Sequence, residues 1–87
     1  MIVIEINKTP TGHYKVEMMK SINNHPSTNF KVIETARRFD TAMLEARKLA
    51  RSHHKEGHDV HLRIFGGSKH QNGRFTFGAD RRFHRSK

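Results

Sequence analysis

Ile2, Ile4 and Ile6 alternate with Val3, Glu5 and Asn7, the period-two pattern of a strand with one buried face. Lys8-Thr9-Pro10-Thr11-Gly12 then supplies turn chemistry, because proline presets φ and glycine tolerates a positive one. Tyr14, Val16 and Met18 alternate with Lys15 and Glu17, so a second strand is expected to run back beside the first as a hairpin. The polar stretch from Ser21 to Asn29, with Pro26 inside it, reads as a loop. Phe30 and Val32, with Ile33, predict a short third strand whose alternation lapses at Glu34.

The period then changes. Ala42, Ala46, Leu49, Ala50 and His53 recur at i, i+4, i+7, i+8 and i+11, one stripe of a helix predicted over Thr41 to Glu56. Asp40 or Thr41 is the expected cap, and with Asp40 in that role Phe39 and Leu44 take the two positions of a hydrophobic staple. Gly57 suits the left-handed residue that ends a helix. Arg47, Lys48, Arg51, His54 and Lys55 fall off the apolar stripe, which makes the exposed side of the helix basic. From His58 to Phe65 the alternation returns, with Val60, Leu62 and Ile64 on one side and His61 and Arg63 on the other. Gly66-Gly67 and the polar residues to Gly73 read as a flexible loop, and Arg74 to Phe77 as a last strand closed by Gly78. The prediction is an α+β fold of order β-β-(β)-α-β-β, with one amphipathic helix packed on one face of a small antiparallel sheet. Residues 1–78 form a single domain in this reading, and 79–87 a basic, flexible C-terminal tail.

The chain is strongly basic, and its charge is unevenly spread. The 87 residues hold 17 Lys and Arg against 8 acids, a formal charge of +9, and no cysteine. Residues 1–60 carry ten basic and seven acidic side chains, net +3, whereas 61–87 carry seven basic and one acidic, net +6. That excess beyond what solubility needs points to a polyanionic partner. Without cysteine there are neither disulfides nor thiolate zinc sites, which fits a reducing compartment. No apolar run approaches the roughly 18 residues of a spanning helix, and the first residues lack the pattern of a signal peptide. The expectation is a cytoplasmic protein, bacterial or in a phage-infected host, with no membrane partner.

Several segments resemble a family of short, uncharacterised bacterial and phage proteins classed as a domain of unknown function. These are the hairpin around Gly12-His13-Tyr14-Lys15-Val16, the helix start Phe39-Asp40-Thr41 leading to Glu45-Ala46, the run Ala46-Arg47-Lys48-Leu49-Ala50, and Gly78-Ala79-Asp80. The resemblance covers nearly the whole chain. It departs from the family in one extra residue between Thr41 and Glu45, a longer loop at Ser21 to Asn29 and a longer glycine loop after Phe65. It implies a layout of hairpin, helix and returning hairpin, and no activity.

Eight histidines raise the question of metal or catalysis. His54 and His58 are four apart, the spacing that shares a metal on a helix, but Gly57 is expected to break the helix between them and no cysteine or placed carboxylate completes a tetrahedral set. His58 or His61 with Glu56 or Asp59 would suit a metal-free nuclease only if brought onto one phosphate, and no motif supports that pairing. Gly66-Gly67 is not followed by a phosphate-loop pattern. The expectation is therefore no enzyme, no metal and no cofactor.

What remains is binding. The candidate contacts are Arg47, Lys48, Arg51 and Lys55 on the helix, Arg63 and Arg74 on strands, and Arg81, Arg82, Phe83, Arg85 and Lys87 in the tail. Arginine and lysine without base-reading pairs give phosphate affinity with little sequence preference. Phe75 and Phe77 share a strand face and belong to the core, leaving Phe83 as the free ring for stacking. The preferred reading is a small nucleic-acid-binding accessory protein, for DNA or RNA. The alternative is an interaction module, such as a phage modulator, docking on an acidic protein face. A homodimer is also compatible with this size.

Overall fold

The computed structural model describes residues 1–21 and 30–86. Along them run β1 (Ile2–Lys8), β2 (Tyr14–Lys20), β3 (Lys31–Ala36), α1 (Phe39–Lys55), β4 (Val60–Phe65), β5 (Gly73–Phe77) and β6 (Phe83–Arg85). The strands form one sheet in the order β3-β2-β1-β4-β5-β6. The fold is α+β, as predicted, with α1 against one face of the sheet and, among the described residues, no helix on the other.

The sheet is antiparallel at four of its five pairings, as expected, and parallel at one. β1 pairs with β2 antiparallel but with β4 in parallel, Ile2 opposite Val60 through Asn7 opposite Phe65. The reason is topological: β3 runs in the direction of β1, and α1 carries the chain back over the sheet to lay β4 beside β1. Parallel neighbours require such a crossover.

Alternation decides what meets the helix. Ile2, Ile4 and Ile6 are fully buried with Val16, Val60 and Leu62, and Ala42, Ala46 and Ala50 are fully buried opposite them. Three alanines at i, i+4 and i+8 let the helix backbone approach the sheet closely, so every large apolar side chain in the centre comes from the strands. Met43 and Leu49 flank the alanine row, half-buried.

The helix start differs from expectation. Arg38 is the N-cap in extended conformation without a side-chain cap, and Asp40 lies within the first turn. Phe39 turns inward to meet Tyr14 edge to face at 5.5 Å, while Leu44 is 52% exposed, so the staple between them does not form. The far end follows expectation: Gly57 has φ +93°, its N–H donates to the His54 carbonyl, and that of His58 to the His53 carbonyl, the paired bonds of a Schellman end.

Two further differences bear on function. β3 continues through Glu34 to Ala36, past the lapse in alternation, because a bulge opposite Val16 and Glu17 absorbs one residue. The expected tail is also structured: Phe83, His84 and Arg85 pair antiparallel with Phe77, Thr76 and Phe75 as a sixth strand. Phe83 meets Phe77 edge to face at 5.1 Å, so one ring anchors a segment too short and too polar to show alternation. Apart from Ser21, the loop read over Ser21 to Asn29 lies outside the described residues, as does Lys87.

Candidate functional site

Arg47, Arg51 and Lys55 stand at i, i+4 and i+8 on α1, all exposed, a row about 12 Å long at 1.5 Å per residue. Facing that row is the turn between β5 and β6. Its geometry starts from Gly78: the Arg81 N–H donates to the Gly78 carbonyl at 3.0 Å, and the Gly78 N–H to the Arg82 carbonyl at 2.9 Å. Such a hairpin turn needs a left-handed residue next, usually glycine. Here that residue is Arg81, with φ +63°, the one non-glycine positive φ among the described residues.

Asp80 holds the turn. Its carboxylate accepts the Arg82 backbone N–H at 3.2 Å, and His84 Nε2 lies 2.9 and 2.8 Å from its two oxygens. The hydrogen bond from His84, helped by the Arg82 amide, keeps the Asp80 carboxyl below the usual aspartate range. The single acid beside this turn is therefore already engaged.

Between helix and turn lies a groove of about 620 Å³, with Arg47 and Arg51 from α1, Arg81 and Arg82 from the turn, and Met43, Phe75 and Phe83 as its apolar lining. A smaller recess of about 260 Å³ shares Arg51 and Arg81 and adds His54, Lys55 and Phe77. Residues of the helix and of the last hairpin thus build two adjoining cationic recesses with aromatic lining.

The other predicted contacts separate from it. Phe83 is half-buried against Phe77 and lines the groove, so it is not a free ring. Arg85 folds back, donating to the carbonyls of Asn72 and His70 at 2.9 and 3.0 Å with its guanidinium 4.8 Å from the Phe75 ring centroid, which makes it a clamp on the 66–72 loop. Lys48 sits outside the groove near Glu45, whose carboxyl is pushed above the usual glutamate range by burial and by its hydrogen bond with Glu34. Arg63 and Arg74 pair across β4 and β5 on the face away from α1, where Arg63 is ion-paired with Glu5 at 2.6 Å.

His53 and His58 come within 6.2 Å between ring centroids, while His54 packs edge to face on Phe77 at 5.4 Å. His58 lies 3.8 Å from Glu56 beyond the helix end, while His61 contacts Thr76 at 3.3 Å on the open face. Among the described residues no three His, Asp or Glu side chains gather as metal ligands would. Sequence reasoning missed Asp80 and His84 as turn organisers and Met43 as groove lining. Gly78-Ala79-Asp80 was the available signal, a turn string directly ahead of two arginines.

Fold and site together define a small α+β domain with an arginine-lined groove between its helix and its last hairpin. No family model, no curated protein and no solved structure matches the chain. No helix of the described residues is long and apolar enough to cross a membrane.

Proposed function

We propose that the protein is a small nucleic-acid-binding accessory protein, not an enzyme, that holds a phosphate backbone in the groove between α1 and the β5–β6 turn. The observation that carries this reading is the convergence of Arg47, Arg51, Arg81 and Arg82 on one groove, with Lys55 in the adjoining recess and Asp80 already bound by His84. Guanidinium groups suit phosphate oxygens because their planar N–H forks pair with them bidentately.

Arg81 adds support. A left-handed backbone costs an ordinary residue on the order of 1 kcal/mol, and glycine would avoid it. An arginine there puts strain in exchange for a cation that lines both recesses. Among the described residues, none that lines the groove is an asparagine, glutamine or serine, so backbone contact without sequence preference is the expected mode.

The same cations would suit an acidic protein face, and retention assays separate the two. Labelled duplex should be held by the parent at low salt and released when Arg47, Arg51, Arg81 and Arg82 are replaced by Gln together. If no nucleic acid is retained at low salt and an acidic protein is, the reading is wrong.

A further inference from the structure

The sequence singled out Arg63 and Arg74, and the fold puts both on the face of the sheet opposite the groove. That face carries a second depression, of about 500 Å³, within the range of small-ligand sites. Val3 and Met19, each 6% exposed, contribute apolar side chains to it. One wall is a chain of hydrogen-bonding groups: Ser86 Oγ lies 2.8 Å from Thr76 Oγ1, which lies 3.3 Å from His61 Nδ1. Hydroxyls and imidazole can each donate or accept, so this wall can match either kind of edge.

The charges around the depression are sorted. Glu5 is neutralised by Arg63 and Glu17 by Lys15 at 3.7 Å, whereas the Arg74 guanidinium has no side-chain partner among the described residues. A ligand fitting these features has a flat apolar body, a hydrogen-bonding edge and a negative charge beside it. We propose that this recess seats one unpaired base of a single-stranded nucleic acid, with its phosphate on Arg74.

A strand fits better than a free nucleotide because the contact surface continues. Phe65 stands on the same side of β4 as His61, 47% exposed and about 13 Å further along at 3.3 Å per residue. An exposed ring beyond the recess gives a neighbouring base something to stack on, and stacking on rings is how strands are held without sequence preference. The inference rests on the reading of the partner as nucleic acid and adds a second face to it, so one domain can hold paired and unpaired segments on opposite sides.

The test uses the full chain with ¹³C-methyl methionine, a duplex, a single strand of the same length, a mononucleotide and a glutamate oligomer. The single strand should shift the Met19 methyl signal, and the double variant Arg74→Gln/Thr76→Leu should weaken single-strand binding about tenfold while changing duplex binding less than about twofold. Circular dichroism confirms that the variant folds, and Phe65→Ala supplies an independent loss outside the recess. If the parent binds neither duplex nor strand, the nucleic-acid reading itself falls. If the duplex binds but the strand leaves Met19 unmoved, or the variant loses both probes equally, the open-face site alone is refuted. Mononucleotide binding as tight as the strand, or displacement by the glutamate oligomer alone, also overturns it.

Discussion

Replacing Ala46 with Leu tests the contact on which the groove depends. Ala46 is fully buried in the middle of the alanine row, in the same core cluster as Ile4, Ile6 and Leu62. Leucine adds three carbons at a position with no free volume, and overpacking of this kind costs about 1 to 3 kcal/mol. In a domain of this size each kcal/mol lowers Tm by about 4 to 8 °C, so a central value of about 2 kcal/mol predicts a fall of roughly 8 to 16 °C. Leu44→Gln is the control on the same helix: Leu44 is 52% exposed, and a change there should stay within about 0.5 kcal/mol. Thermal unfolding followed by circular dichroism measures both. Lifting α1 off the sheet also moves Arg47 and Arg51 away from Arg81, so duplex binding by the folded variant should weaken. An Ala46→Leu protein that melts with the parent, or a Leu44→Gln protein that falls as far, would refute the assigned helix face.

Two substitutions separate structural charges from binding charges. Arg85→Gln should lower Tm by about 4 to 8 °C, because it removes charged hydrogen bonds to His70 and Asn72 carbonyls worth about 1 kcal/mol at an exposed site, yet leave the salt dependence of duplex binding unchanged; an unchanged Tm with a reduced salt dependence would make it a phosphate contact after all. Glu45→Gln should stabilise the protein at pH 7, since burial and Glu34 raise the Glu45 carboxyl and so make its charged form unfavourable in the folded state. That gain should fade as pH falls through the raised value and vanish below the ordinary glutamate range, where both states hold the proton, and a gain that persists there would refute the assigned cause.

Much of the scaffold was legible because alternation and helical period each had a strong local carrier. Ile2, Ile4 and Ile6, the alanine stripe and Val60, Leu62 and Ile64 all face the core as their spacing implied. The parallel pairing of β1 with β4 was not legible, since it depends on where the crossover lands and not on any residue in either strand. β6 was hidden by its composition: a three-residue edge strand with one apolar side chain and two basic ones reads as a tail. The candidate site was half legible for a related reason. Sequence marked the arginines of the helix and of the C-terminal segment separately, but only the Gly78–Arg82 turn brings Arg81 and Arg82 across from Arg47 and Arg51, while β6 lays Arg85 on the carbonyls of the 66–72 loop and the β4–β5 pair carries Arg63 and Arg74 to the other face.

The salt dependence of duplex binding tests the groove most directly. The row from Arg47 to Lys55 spans about 12 Å, which laid along a duplex axis covers the rise of three or four phosphates of one strand at 3.4 Å of axis each, and every phosphate neutralised contributes about 0.9 to the slope of log K against log salt. Fluorescence anisotropy between about 50 and 200 mM salt should therefore give the parent a slope of roughly −3 to −4. With Arg47, Arg51, Arg81 and Arg82 replaced by Gln, the slope should flatten to about −1 or less at an unchanged Tm. A folded variant that keeps the parental slope would contradict the assignment of the phosphate backbone to this groove.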